Sequence, residues 1–200
     1  GYFTLIALKM GFNVIAIEAN PIHKQYLMKS IELNNLDVSK LTYIEKFVSN
    51  NIEPTLFDGW SGIDNLMTMK DKTLVETISL DSLINSNVFL KIDVEGAEPQ
   101  VFKSAMKSFK NNHIKYLMFE ITYIIDNIID EEQIEMLYFL HNNKYNIYDL
   151  IDHNNYFKIN DIIQTRRKWE YEYFNIHKKH APSISSAGTN IIAEKEIITM

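Results

Sequence analysis

Apolar and polar positions along this chain alternate between two periods. Residues 2–9 (Tyr2-Phe3-Thr4-Leu5-Ile6-Ala7-Leu8-Lys9) are apolar and helix-compatible, and Gly11 reads as the stop. Val14-Ile15-Ala16-Ile17 is a short continuous apolar run, which predicts a strand covered on both faces. It ends in Glu18. Asn20 and Pro21 read as an N-cap followed by proline at the first helical position. Ile22, Tyr26, Leu27 and Ile31 continue that helix until Asn34-Asn35. Leu41 to Val48 alternates as a strand should, and Ser49 to Lys72 reads as a long polar loop containing Gly59, Trp60 and Gly62. Thr73 to Leu80 and Val88 to Val94 are further strands, the second buried and closing on acids. A helix burying Val101, Phe102, Ala105, Met106 and Phe109 follows. Ile114 to Ile121 is a strand, Asp130 to Gln133 a capping box before a helix with Ile134, Leu137 and Leu140, and Tyr145 to Ile151 a strand. His153-Asn154-Asn155 turns into a strand at Tyr156 to Ile159, and Asn190 to Ala193 is the last short strand.

Alternating strands and helices imply an α/β fold with a mainly parallel sheet and helices on both faces. Such sheets bind ligands at the C-terminal ends of their strands, so polar residues ending strands are the ones to weigh: Glu18, Asp93, Glu95 and Glu120. The chain has 200 residues, 46% of them hydrophobic, enough for the core of one domain. Its formal net charge of -6 argues against non-specific binding to nucleic acid or anionic membranes. The absence of cysteine removes disulfides, thiolate zinc sites and cysteine nucleophiles. No run of about 18 apolar residues marks a membrane span. Compartment and oligomeric state are not specified by these features.

An acid after the second strand of a nucleotide-binding half can accept hydrogen bonds from both ribose hydroxyls, because a carboxylate offers two oxygens to two donors. For Glu18 the bland alternative is a solvated acid favoured by a nearby helix start. In Lys91-Ile92-Asp93-Val94-Glu95-Gly96-Ala97-Glu98, three acids crowd a strand end around a glycine. Clustered carboxylates there are costly unless they bind something or pair locally. The alternative is helix-start chemistry, with Glu95 and Glu98 on the N-terminal dipole and Lys91 paired to an acid. His23, His113 and His141 read as surface or helix-end residues. Trp60 reads as either a lid or a loop anchor, and Arg166-Arg167-Lys168 as a solvated basic turn or an anion contact.

The segment Leu90-Lys91-Ile92-Asp93-Val94-Glu95-Gly96-Ala97-Glu98 resembles the hallmark of FkbM-type methyltransferases. Other pieces agree in order: Gly1-Tyr2-Phe3-Thr4-Leu5, Val14 to Pro21, Ile31 to Leu36, Thr77 to Leu83, Phe119-Glu120-Ile121 and Asn190 to Ala193. The resemblance implies a Rossmann-like class I methyltransferase fold with a seven-stranded sheet, a single domain over 1–200, and S-adenosylmethionine as cofactor. It implies that the family's first strand and acidic, glycine-rich turn precede Gly1, so that the chain begins inside the cofactor motif. Ala19 stands where the family usually has proline. It implies methyl transfer to a hydroxyl of a small-molecule acceptor, a sugar or a lipid. Gly1 and Tyr2 would lie toward the methionine end of the cofactor, Glu18 would hold the ribose, and Asn20 would lie near the adenine. Asp93 is the first candidate for general base, also close to the cofactor, and Glu95 and Glu120 are the second candidates. Asp93 and Glu120 are hard oxygen ligands of the kind magnesium takes, but no metal is assigned. The competing readings are a Rossmann-like NAD or sugar-nucleotide enzyme and a binding module that keeps the fold without the chemistry.

Overall fold

The structure is a computed structural model and describes residues 1–57, 73–94, 96–122, 131–152, 155–158 and 188–196. The chain divides into two compact units, Gly1–Leu80 and Asp81–Met200.

In the first unit, α1 (Tyr2–Lys9) ends as expected. Gly11, at φ +86°, donates its N–H to Leu8, and Phe12 donates to Ala7, the paired bonds that close a helix through a left-handed residue. β1 (Val14–Ile17) follows, then α2 (Ile22–Leu33). Asn35 adopts φ 51° and closes α2 in the same way, with Leu36 N–H bonded to Ile31. β2 (Leu41–Ile44) pairs parallel with β1, from Val14 opposite Leu41 to Ile17 opposite Ile44. Leu8, Leu27 and Ile31 are buried, with Leu5, Val14, Ala16, Leu36, Leu41 and Tyr43 packed on them. This core holds α1 and α2 against the strands.

The expected strand from Leu41 to Val48 is broken at Glu45-Lys46. β3 (Phe47–Val48) leaves β1 and β2 and pairs parallel with β6 (Thr77–Ile78). Between them lie β4 (Thr55–Phe57) and β5 (Thr73–Val75), which pair antiparallel, so the expected loop carries strand at its described start. Gly59, Trp60 and Gly62 lie outside the described residues.

In the second unit, β7 (Val88–Lys91) leads to α3 (Glu98–Lys103) and α4 (Met106–Lys110), two short helices where one was expected. β8 (Ile114–Thr122), α5 (Glu131–Asn142), β9 (Tyr145–Asp152), β10 (Asn155–Lys158) and β11 (Gly188–Lys195) complete it. The sheet order is β10-β9-β11-β8-β7. β7 and β8 pair parallel; β11 is antiparallel to both β8 and β9, and β10 to β9, so β7, β8 and β9 run one way and β11 and β10 the other. Among the described residues the largest sheet therefore has five strands, with one parallel pairing and three antiparallel ones, and the expected seven-stranded, mainly parallel sheet is not seen as one sheet among them.

Val101, Phe102, Ala105 and Phe109 are buried as the helical spacing predicts, Met106 only half, with Ile134, Leu137 and Leu140 of α5 and Leu117, Phe119, Ile147 and Ile191 of the sheet. Phe102, Phe109, Phe139 and Tyr145 form a ring cluster with centroids 4.5–6.1 Å apart. The two strands expected to be covered on both faces are not: Ile15 is 49% exposed and Phe89 58%. Among the described residues no helix is long and apolar enough to cross a membrane.

Candidate functional site

Glu18 owes its position to the end of β1. Its backbone N–H still donates to Ile44 of β2, while the chain beyond it turns toward α2. Its Oε1 accepts the Asn20 N–H at 2.8 Å, and Asn20 Oδ1 accepts the Ile22 N–H at 3.1 Å. Asn20 thus serves an orphan amide at the helix start, although the helix begins at Ile22, one residue later than the proline expected to open it. His23, in the first turn of α2, reaches back to Glu18 Oε2 at 3.1 Å.

Glu18 and His23 border a pocket of about 500 Å³, within the range that holds a nucleoside-sized ligand. Gly1, Tyr2, Glu18, His23, Tyr26, Leu27 and Tyr43 are among its walls, all from the first unit. A side chain at Gly1 would place its Cβ 3.0 Å from Leu27 Cδ1, so glycine lets the start of α1 sit close to α2. Asn20 is 1% exposed, and its Nδ2 has no hydrogen-bond partner among the described residues. The Tyr43 hydroxyl is likewise buried and unpartnered. Burial, reinforced by the charges of Glu18 and Glu45, pushes the Tyr43 phenol up to about 12, so it stays a donor. Buried donors without acceptors are uncommon in folded proteins and suit a site completed by a ligand.

The hallmark turn is in the second unit. β7 ends at Lys91, and the Ile92 N–H donates to Met118 of β8 at 2.8 Å. Lys91 Nζ, largely buried, pairs with Asp93 Oδ2 at 3.1 Å and bonds the Ile92 carbonyl at 2.9 Å. Asp93 is about half exposed. Gly96 takes φ 103°, a conformation side chains resist. Glu98 then folds back, fully buried, and accepts the N–H groups of Val94 at 3.1 Å and Gly96 at 2.9 Å. Burial raises its pKa, the backbone N–H groups oppose that, and the neighbouring Asp93 charge adds to it. Glu98 therefore serves the turn that precedes α3, a structural role at the helix start that differs from the dipole role expected of it.

Glu120 is half-buried near the end of β8, opposite Asn190 of β11. Glu95 lies outside the described residues, as do Arg166, Arg167 and Lys168. Gly1, Tyr2 and Glu18 thus meet in one pocket with Asn20 bonded behind them, while Asp93 and Glu120 end neighbouring parallel strands of the other unit. Among the described residues no group of three or more His, Asp or Glu side chains could hold a metal ion.

Three contributors escaped the sequence reading. His23 was expected at the surface or a helix end, and it does stand in the first turn of α2, but its contact with the carboxylate was not foreseen; its place in the first helical turn after an acid was the available signal. Tyr43 drew no attention, since a tyrosine in an alternating strand is ordinary. Asp81 accepts the Lys107 and Ser108 N–H groups and the Ser108 hydroxyl at 2.7–2.9 Å, holding the start of α4.

An acid after a parallel strand, before a helix and at the edge of a pocket is an arrangement found in α/β folds of the nucleotide-cofactor class. Within that class, the sequence profile described as the Methyltransferase FkbM domain matches residues 2–147, and the chain belongs to this family. Among solved structures, methyltransferase FkbM from Methylobacillus flagellatus KT matches at 18% identity with a TM-score of 0.39. That match covers 55% of this chain and 26% of the other, so the chain spans about a quarter of that protein's length. No curated protein matches the chain.

Proposed function

We propose that the chain is an S-adenosylmethionine-dependent methyltransferase that acts on a hydroxyl oxygen of a small molecule, a sugar or a lipid. The observation that carries this reading is the Glu18 carboxylate, held by Asn20 and His23 at the rim of the pocket. Each carboxylate oxygen bonded once by the protein keeps acceptor capacity for a ribose hydroxyl. Gly1 and Tyr2 would border the methionine side, and Asn20 the adenine side. The profile match crosses from the first unit into the second, which supports reading 1–200 as one domain. In that reading the strands belong to a mainly parallel, seven-stranded class I sheet.

When bound, the cofactor supplies a methyl carbon already activated by its sulfonium. The protein's task is then alignment and removal of one proton. Asp93 is the base we assign, with Lys91 fixing its carboxylate at 3.1 Å; the acceptor hydroxyl proton would pass to a free Asp93 lone pair as the oxygen attacks. Glu95 and Glu120 are the second candidates for acceptor orientation.

The test is calorimetric titration of S-adenosylmethionine into the wild-type chain and Glu18→Ala. Loss of hydrogen bonds to a charged acceptor should weaken binding by about thirtyfold or more. Equal affinities would remove Glu18 from the site, and a folded wild-type chain that binds no cofactor would refute the proposal.

A further inference from the structure

The protein itself makes claims on the Glu18 carboxylate. Oε1 takes the Asn20 N–H, and Oε2 faces His23 Nδ1 at 3.1 Å. To donate there, the imidazole must carry a proton on Nδ1, either as the neutral Nδ1–H tautomer or as the imidazolium. The two side chains are 34% and 36% exposed and both border the pocket, so a ligand on the carboxylate shares Oε2 with the imidazole. The other titratable groups around them are the Gly1 α-amine and Tyr2 at the start of α1, Lys24 and Tyr26 of α2, Tyr43 of β2 and Glu45 just after it. Lys24 is engaged with Glu45, and the Tyr43 phenol remains protonated. Carboxylates, phenols and lysine ammonium groups ordinarily titrate outside pH about 5 to 8, where histidine changes charge; an α-amine ordinarily titrates near the upper edge of that range but is common to every variant, so the difference between variants isolates the histidine.

We infer that His23 is a positioning residue for cofactor binding: neutral, it orients the Glu18 carboxylate toward the ribose hydroxyls, and protonated, it holds that carboxylate in an ion pair that competes with them. The inference rests on the reading of Glu18 as the ribose acceptor. Its sign follows directly. The neutral form binds cofactor more tightly, so binding favours loss of the proton, and affinity falls as pH falls.

The experiment is calorimetric titration of S-adenosylmethionine at about pH 8 and about pH 5.5, the two sides of histidine's range. It uses the whole chain as wild type, His23→Asn, His23→Leu and Glu18→Ala. Wild type should bind about tenfold more weakly at the acid end, the size of one charge-assisted hydrogen bond. His23→Leu should be weaker than wild type at pH about 8 and should lack the wild type's acid decline. The Asn side chain offers an N–H near the Nδ1 position and does not titrate in this range. His23→Asn should therefore regain most of the affinity lost in His23→Leu, without the acid decline. A wild-type pH profile in His23→Asn, or wild-type affinity in His23→Leu at the alkaline end, overturns the inference. If Glu18→Ala weakens binding while the His23 variants do not, His23 loses its role and the ribose reading stands. If Glu18→Ala binds like wild type, or wild type binds nothing, both fall.

Discussion

Replacing Glu98 tests how the hallmark turn is held. The carboxylate is fully buried and accepts two backbone N–H groups, from Val94 and Gly96. Glu98→Gln keeps the shape but offers one acceptor oxygen, so one of those N–H groups faces an amide donor. An unsatisfied donor costs about 1–3 kcal/mol, and because Val94 and Gly96 are themselves exposed, the expected loss is at the low end, about 1 kcal/mol. Glu98→Ala removes both acceptors and leaves a void, for an expected loss of about 3 kcal/mol. Urea unfolding followed by circular dichroism reads both values. The pH dependence has a definite sign. Burial raises the Glu98 pKa above its ordinary 4.5, so the folded chain binds this proton more readily than the unfolded one. Its contribution is therefore fully present below pH 4.5 and is lost as pH rises through the raised folded value. Wild type should gain on Glu98→Gln as pH falls from 7 toward 4.5. A gap that narrows on acidification would mean the N–H groups outweigh burial, contrary to the reasoning. A Glu98→Gln variant as stable as wild type at neutral pH would mean that the turn does not depend on a second acceptor.

Asp81→Ala should destabilise the chain by about 2–3 kcal/mol in the same unfolding assay, since it strips a helix start of its acceptor and leaves the buried Ser108 amide unpaired. A loss below about 0.5 kcal/mol would show that α4 does not rely on it. Gly96→Ala meets no atom within 4 Å, so the strain of φ +103° alone should cost about 1–3 kcal/mol. Unchanged thermal stability would show that the turn relaxes to accept a side chain.

The local signals in the sequence were strong where one residue decides the geometry. Gly11 and the Asn34-Asn35 pair close α1 and α2 through left-handed residues, and Glu18 stands at a strand end because the apolar run stops there. What the pattern could not convey is which partner a segment chooses. Leu41 to Val48 alternates throughout, yet β2 pairs with β1 and β3 with β6, and periodicity carries no record of that exchange. The apolar spacing from Val101 to Phe109 is helical throughout, yet Asp81 captures the amides of Lys107 and Ser108 and a new helix starts there. The Glu18–His23 contact spans a strand, a turn and a helix start, so it depends on the turn that Asn20 sets. For the candidate site, residue types were legible and their mutual bonding was not.

The Asp81 bonds have a consequence for the order in which the chain organises. A five-residue helix such as α4 is too short to persist in water by itself, so its start waits for an acceptor that lies 26 residues earlier in the chain. The loop thus closed contains β7, the Asp93–Glu98 turn and α3. The turn consequently matures inside a tether whose far end is made last. During synthesis, its clasp cannot close until Lys107 and Ser108 have been added.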